Sequence, residues 1–438
     1  MFKRTLAMVL SLTMCAAMFA GCGKKEESKA PTTSGSAPAA SDSASTAPTA
    51  PTDAVAEADK GTLVWNIGAD PKTWDPGLNT ATDGSHLDNN MFEGLMEDIG
   101  GGKLEPAQAE SYKISDDKMT YTFTLRKDLK WSDGSPLTAK DFEYSWKRVC
   151  DPATAAEFSN LMTPYIKGAM EFLEGKGTKD EMGVKALDDL TLEVKLVNPV
   201  PYFLNLCSFY TYYPVKESVA VKGDGWEKQA ATCISNGPFM LEEYKTADHI
   251  NLVKNPNYRK ADEVKLERIN GLMIVEATTT FNGYKAGKIH LLESSGIPVN
   301  EIPNLEATDP YFTIAPQAGT WYAIFNVDVA PFDNPLVRKA FTLAIDNKKI
   351  TDILKGGRLP ATGFIAPVLH FSDGVSCRKL DDNGMPTPEY GIDPMKANKE
   401  EAMKLLAEAG YPEGKGLPPV SYTYNTNDGN KIMAEALQ

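Results

Sequence analysis

The sequence predicts a mixed α/β (α+β) protein of several lobes, and three observations carry the prediction. Segments such as "TLVWNIG" (62–68), "TYTFTLR" (120–126) and "LTLEVKLV" (190–197) alternate apolar and polar residues, the period of strands with one buried face. Helical segments stand between and after them, without a strict strand–helix–strand alternation and without an internal repeat. The body that holds them, residues 62–438, is too long for one compact core and suits two or three lobes.

Ahead of that body lies a leader. Lys3 and Arg4 precede an apolar run, residues 6–20, broken only by Ser11 and Thr13. A basic start and an apolar run read as a secretory signal over residues 1–21, short of the roughly 20 apolar residues that a membrane span needs. Ala20 and Gly21 directly before Cys22 resemble the bacterial lipobox, although Phe19 is a less usual first residue than Leu. Cys22 is therefore expected to carry a lipid anchor. That places the protein outside the cytoplasm, at the cell surface of a Gram-positive bacterium or in the periplasm of a Gram-negative one. The rest of residues 22–60 is rich in Ser, Thr, Ala and Pro and offers almost nothing to bury. It reads as a disordered tether with a span of roughly 35 Å.

Within the body, the glycines of "IGGGK" (99–103) suit a hairpin connection, and "GKGT" (175–178) reads as a turn. Thr138 and Asp141 form a candidate capping box for a helix that places Phe142, Trp146 and Val149 on one face. In "DNPLVRKAFTLAIDNKKITDIL", Asn334 is the expected N-cap and Pro335 the first helical residue. "KANKEEAMKLLAEAGY" should stop at Gly410. "DGNKIMAEALQ" starts as a helix with Ile432, Met433 and Leu437 facing inward. With no C-cap behind it, the segment is expected to belong to a truncated chain.

Composition narrows the function. The net charge of −14 becomes −16 once Lys3 and Arg4 leave with the signal, and no basic cluster of useful size relieves it. Nucleic acid is excluded as a partner on that ground. His86, His249, His290 and His370 are isolated, so no metal site and no cofactor is expected. No G-x-S-x-G, S-x-x-K or Cys–His signature points to a catalytic centre. Asp116–Asp117 and Asp188–Asp189 sit in turn-like surroundings. Cys150, Cys207, Cys233 and Cys377 lack C-x-x-C spacing, and their pairing stays open between disulfides and buried thiols. Aromatic residues concentrate in "PYFLNLCSFYTYYP" and "AGTWYAIFNV", which suit core packing with a remainder for a cleft wall.

One further set of motifs is more specific. "DPKTWDPGLNTATDGSHLDNNMFEGLME", "EPAQAESYKISDDKMTYTFTLRKDLKWSDGSPLTAKDFEYSWKRVCDPATA", "NGPFMLEEYKTADHINLVKNPNYR" and "YAIFNVDVAPFDNPLVRKAFTLAIDNKKI" resemble, in order, the peptide-binding proteins of bacterial ABC importers, solute-binding family 5. The likeness spans nearly the whole chain after the linker and fits the oligopeptide-binding branch best. It implies a three-lobed, periplasmic-binding-protein-like fold of the cluster C type, closing on its ligand by hinge motion. Lobe I would comprise 61–98 and 227–316, lobe II 99–226, and lobe III, incomplete, 317–438. It also implies an extended oligopeptide held by backbone pairing, a monomer, and permease and ATPase partners in the membrane.

By the same resemblance, Thr80, Ala81 and Thr82 would contact ligand from lobe I. Phe158 stands where the family has a tyrosine, so its ring can pack while the hydroxyl's bond is lost. Glu293, Ser294 and Ser295 of "LESSGIP" would lie where a cleft strand offers partners, and Trp321 and Tyr322 would line lobe III. The family's ammonium-binding aspartate, in a W-x-x-D-Y type motif, has no match in this sequence. Other expectations share the fold with a different ligand (a dipeptide, signalling peptide, glycan or nickel chelate). A surface-tethered peptidase, or a chaperone or adhesin, belongs to a different class.

Overall fold

A computed structural model describes residues 61–438 apart from 101, 224, 316, 371–374, 383–386, 390 and 426–427. The expected signal, Cys22 and the linker lie outside these described residues.

Two four-stranded sheets organise the chain up to about residue 300. In the first, Thr62–Asn66 runs parallel to Arg268–Leu272, which pairs antiparallel with His249–Lys254. That strand pairs in turn with Phe239–Lys245. Trp65, Phe239, Ile250, Leu252 and Ile269 are buried here together with Trp74, Leu87 and Phe92. The second sheet is antiparallel throughout, in the order Ala109–Ile114, Thr120–Leu125, Thr191–Lys195, Val184–Ala186. Tyr121 stands opposite Val194 and Phe123 opposite Leu192, all four buried. Thr124 on the other face is exposed, the alternation expected from the sequence. Between the sheets, Met96–Asp98 and Leu104–Pro106 form the expected hairpin, closed by Ile99 N–H to the Lys103 carbonyl at 2.9 Å.

Helix Ala139–Val149 covers the second sheet with Phe142, Trp146 and Val149 buried. Its capping box is present, the Thr138 N–H donating to the Asp141 carboxylate at 2.7 Å. Burying a side chain of this size contributes about 1.5–3 kcal/mol. The Trp146 indole N–H donates to the Tyr212 carbonyl at 2.8 Å, so that burial leaves no donor unmet.

Side chains of the connecting segments are shared between the two cores. Tyr210, Tyr213, Val215, Val219 and Trp226 pack into the first core, while Tyr212 among them packs into the second. Leu95 and Met96 pack into the second. Alternation locates strands, but which core a connecting side chain enters depends on where the folded chain passes. Beyond residue 309 the described chain carries a few separate helices joined by long irregular stretches, with a small core of Ala340, Leu343, Ala402 and Leu405. The stretch from Asn334 divides into Pro335–Ala344 and Asn347–Leu354, because Asp346 turns its carboxylate to the Lys349 N–H at 3.0 Å and caps a second helix. Asn334 caps the first as expected, accepting from the Leu336 N–H at 2.9 Å. Helix Lys399–Glu408 is followed by Gly410 at φ +94°, a left-handed stop that suits glycine. Helix Asp428–Leu437 leaves Ile432, Met433 and Leu437 only half-buried. No helix among the described residues is long and apolar enough to cross a membrane. The four cysteines described are free thiols, with Cys150, Cys207 and Cys233 buried.

Candidate ligand-binding site

The loop that carries Thr80 is shaped by side chains beneath it. The buried Asp75 accepts from the Gly77 N–H at 3.0 Å, and its backbone carbonyl takes the N–H groups of Leu78 and Asn79 at 2.9 and 2.8 Å. Asn79 then accepts from the Ala81 N–H at 2.9 Å and donates its amide to the buried Asp88 at 2.8 Å. Gly84 is required below the loop, since a Cβ there would stand 2.4 Å from the Thr73 carbonyl. Thr80, Ala81 and Thr82 are left exposed at the start of helix Thr82–Met91.

A second group approaches from the free edge of the first sheet. The His290 N–H donates to the Val64 carbonyl at 2.8 Å, and Leu291 bridges Trp65 in parallel. The cleft strand expected through "LESSGIP" ends there. Ser294–Gly296 instead form one tight 3-10 turn, closed by the Gly296 N–H on the Glu293 carbonyl at 2.9 Å. Gly296 is buried, and a Cβ there would meet the Thr280 methyl at 3.1 Å. Ser294 and Ser295 are exposed, and Glu293 is half-buried.

One contact joins the two groups. His86, on the helix that begins at Thr82, places Nε2 3.4 Å from Glu293 Oε1. Its ring stands edge-on to Trp65 at a centroid distance of 5.3 Å. The hydrogen bond to the Glu293 carboxylate raises the imidazole above its ordinary value, more than burial lowers it. His86 read as isolated in the sequence because its partner is remote in the chain.

The other residues chosen from the sequence lie apart. Phe158 is half-buried, its ring 6.1 Å from that of Phe209 and 6.3 Å from that of Tyr210. Trp321 and Tyr322 are 63% and 60% exposed, on a segment that forms no strand among the described residues, and Tyr322 packs on Phe364 at 5.0 Å. Among the described residues no hydrogen bond or ring contact ties Phe158, Trp321 or Tyr322 to the Thr80 loop or to Glu293.

Polar groups the sequence reading missed sit where the chain passes between the two cores. Arg148, from the helix over the second sheet, grips Asp75 beneath the Thr80 loop with two hydrogen bonds of 2.9 and 2.6 Å. The Trp226 indole N–H adds a third at 2.8 Å. Nearby along the chain, Glu93 accepts from Arg259 at 2.7 Å twice, from the Tyr258 hydroxyl at 2.7 Å, and from Gln108. Asn236 holds the Glu93 backbone from both sides at 3.1 and 2.9 Å. A cavity of about 430 Å³ opens here, lined by Gln108, Arg126, Lys130, Asn236, Asn257 and Arg259, none of them chosen from the sequence. The signal was present in "WDP" and "WKRV", but nothing local says that the two meet.

Comparison with known proteins adds three findings. The family model described as bacterial extracellular solute-binding proteins, family 5, middle region, matches residues 103–438. The oligopeptide-binding protein OppA of Bacillus subtilis (strain 168) is 35% identical over 385 residues, which are 86% of this chain and 68% of that protein. Among solved structures, the murein tripeptide binding protein MppA of Escherichia coli superposes with a TM-score of 0.79 at 31% identity, covering 87% of this chain and 72% of that one. OppA of Haemophilus influenzae in complex with RPPGFSPFR gives 0.76 at 32% identity, covering 86% and 72%.

Proposed function

Since the chain belongs to the bacterial extracellular solute-binding proteins of family 5, we propose that it captures oligopeptides outside the cytoplasm and delivers them to an ABC importer. The observation that carries this reading is the 35% identity to an oligopeptide-binding protein along 86% of the chain. The exposed Thr80, Ala81 and Thr82, at the start of the helix whose His86 meets Glu293, and the turn of Glu293, Ser294 and Ser295 would supply polar contacts to an extended peptide backbone. Phe158, Trp321 and Tyr322 are its proposed apolar contacts. Backbone pairing reads little of the peptide's sequence, so broad specificity follows. Residues 61–98 with 227–316, 99–226, and 317–438 are the proposed lobes, with Tyr210, Tyr213, Val215, Val219 and Trp226 packing toward the first. No catalytic step is assigned.

Titration calorimetry of the full chain with peptides of about three to six residues tests this reading. Binding that varies little with side chains is expected, and no heat from any such peptide would end the proposal. Anchoring through Cys22 is part of it. Cys22→Ala should move the protein from the membrane fraction to the soluble one, because two acyl chains suffice for stable attachment. Unchanged partition of that variant would remove the anchor.

A further inference from the structure

The contact between His86 and Glu293 ties two segments that the peptide-binding reading uses, and it includes a side chain whose charge changes near neutral pH. Glu293 precedes the exposed Ser294 and Ser295, and its side chain is 39% exposed. His86 is one turn into the helix that starts at Thr82, with its side chain 32% exposed. Both groups therefore border solvent at the proposed ligand edge, and neither is sealed in a core.

We propose that His86 and Glu293 form a proton-operated charge switch that sets the site's preference for cationic peptides. With the imidazole protonated, the pair is neutral overall and Glu293 is engaged. With the imidazole neutral, the Glu293 carboxylate stands uncompensated beside Ser294 and attracts an ammonium or guanidinium group of the ligand.

The surroundings support one direction of change. Asp83, on the same helix, and Glu293, from the turn, are the charged groups acting on His86, and both favour its cationic form. The strand packed against it contributes the Trp65 ring, which is uncharged. The sign follows. A histidine whose folded value is raised holds its partner below the ordinary value and releases it as pH rises through the raised one. Affinity for a cationic peptide should then rise with pH, while affinity for a neutral one stays level. Partly exposed charge pairs are worth at most about 1 kcal/mol, so the change is about two- to fivefold.

This inference rests on the peptide-binding reading, and two measurements on the full chain keep the two separable. The first needs no ligand. The titration of His86 is followed by NMR in the wild type and in Glu293→Gln, with His86→Gln identifying the resonance. A downward shift in Glu293→Gln is expected, and an unchanged titration overturns the switch whatever the protein binds. The second compares Ala-Lys-Ala with Ala-Ala-Ala at about pH 5.5 and about pH 7.5, a window that brackets an ordinary histidine. Both peptides share the same terminal amine, so its titration cancels in the ratio of affinities. That ratio should rise about two- to fivefold with pH in the wild type and stay flat in His86→Gln. A flat ratio in the wild type overturns the switch and leaves peptide capture standing. Failure of the wild type to bind either peptide overturns both, even where the His86 titration responds to Glu293→Gln.

Discussion

Asp75 shows how one buried carboxylate can organise a site without touching a ligand. It is almost fully buried, orders the Thr80 loop through Gly77, and receives Arg148 and Trp226 from neighbouring chain segments. Arg148→Ala would leave that charge without its cation, and breaking a buried pair costs about 3–5 kcal/mol. A loss of that order in urea unfolding is expected. A loss below about 1 kcal/mol would show that the pair is solvated rather than structural. Asp88 behaves oppositely. It is fully buried, and one of its carboxylate oxygens finds no partner among the described residues, so burial pushes its carboxyl well above the usual range. The folded state then keeps that proton to higher pH than the unfolded chain. Its contribution falls as pH rises from about 4 until the raised folded value is passed. Asp88→Asn keeps an acceptor for the Asn79 amide and cannot ionise. It should be at least as stable as the wild type near neutral pH and should lose that part of the pH slope. Marked destabilisation near pH 7 would mean that the carboxylate itself is needed.

Elements differ in how much holds them. The helix Ala139–Val149 has a capping box, a buried face and an indole hydrogen bond, whereas helices Pro335–Ala344 and Lys399–Glu408 share a core of four small or aliphatic residues. Tyr311, Trp321, Tyr322, Ile324 and Phe364 are exposed on this later part. Local opening is easiest where few apolar contacts must break. Limited proteolysis should therefore cut first beyond residue 309 and leave the two sheets intact for longer. Early cleavage inside 109–195 would contradict that ranking. At the helix itself, Thr138→Ala should cost about 1 kcal/mol in thermal or urea unfolding, the usual loss for a cap.

At the scale of the molecule, the two cores are joined by a polar junction as well as by Ile234, which packs against both. Glu93, Arg259, Gln108 and Asn236 knit the crossing beside a cavity of about 430 Å³. Both charges of that junction are almost fully buried, so removing either one alone would leave its partner uncompensated. Ligand that binds the folded state alone should raise the unfolding midpoint, by about 2.7 kcal/mol of stability at a hundred times the dissociation constant. Differential scanning calorimetry with increasing tripeptide checks this. A midpoint insensitive to peptide would count against capture by the folded chain.

Part of this was legible in the sequence because it is local. Alternation in "TYTFTLR" and "LTLEVKLV" determined which faces of two strands are buried, since side chains reverse with each residue of a strand. Thr138 with Asp141, Asn334 with Pro335, and Gly410 marked helix ends by satisfying or releasing backbone groups within a few residues. The order of motifs determined the family. Local pattern could not place a break at Asp346, because the whole stretch is helical by spacing and the cap competes only in the folded context. Nor could it turn "LESSGIP" into a 3-10 turn, which depends on how closely Gly296 meets Thr280. Only the tertiary structure decided that Arg148 reaches Asp75 and that His86 reaches Glu293. Those partners are remote along the chain and are brought together by tertiary packing, in the case of Glu293 beside the bridge of Leu291 to Trp65 at the edge of the first sheet. A single sequence carries no periodic trace of such a pairing.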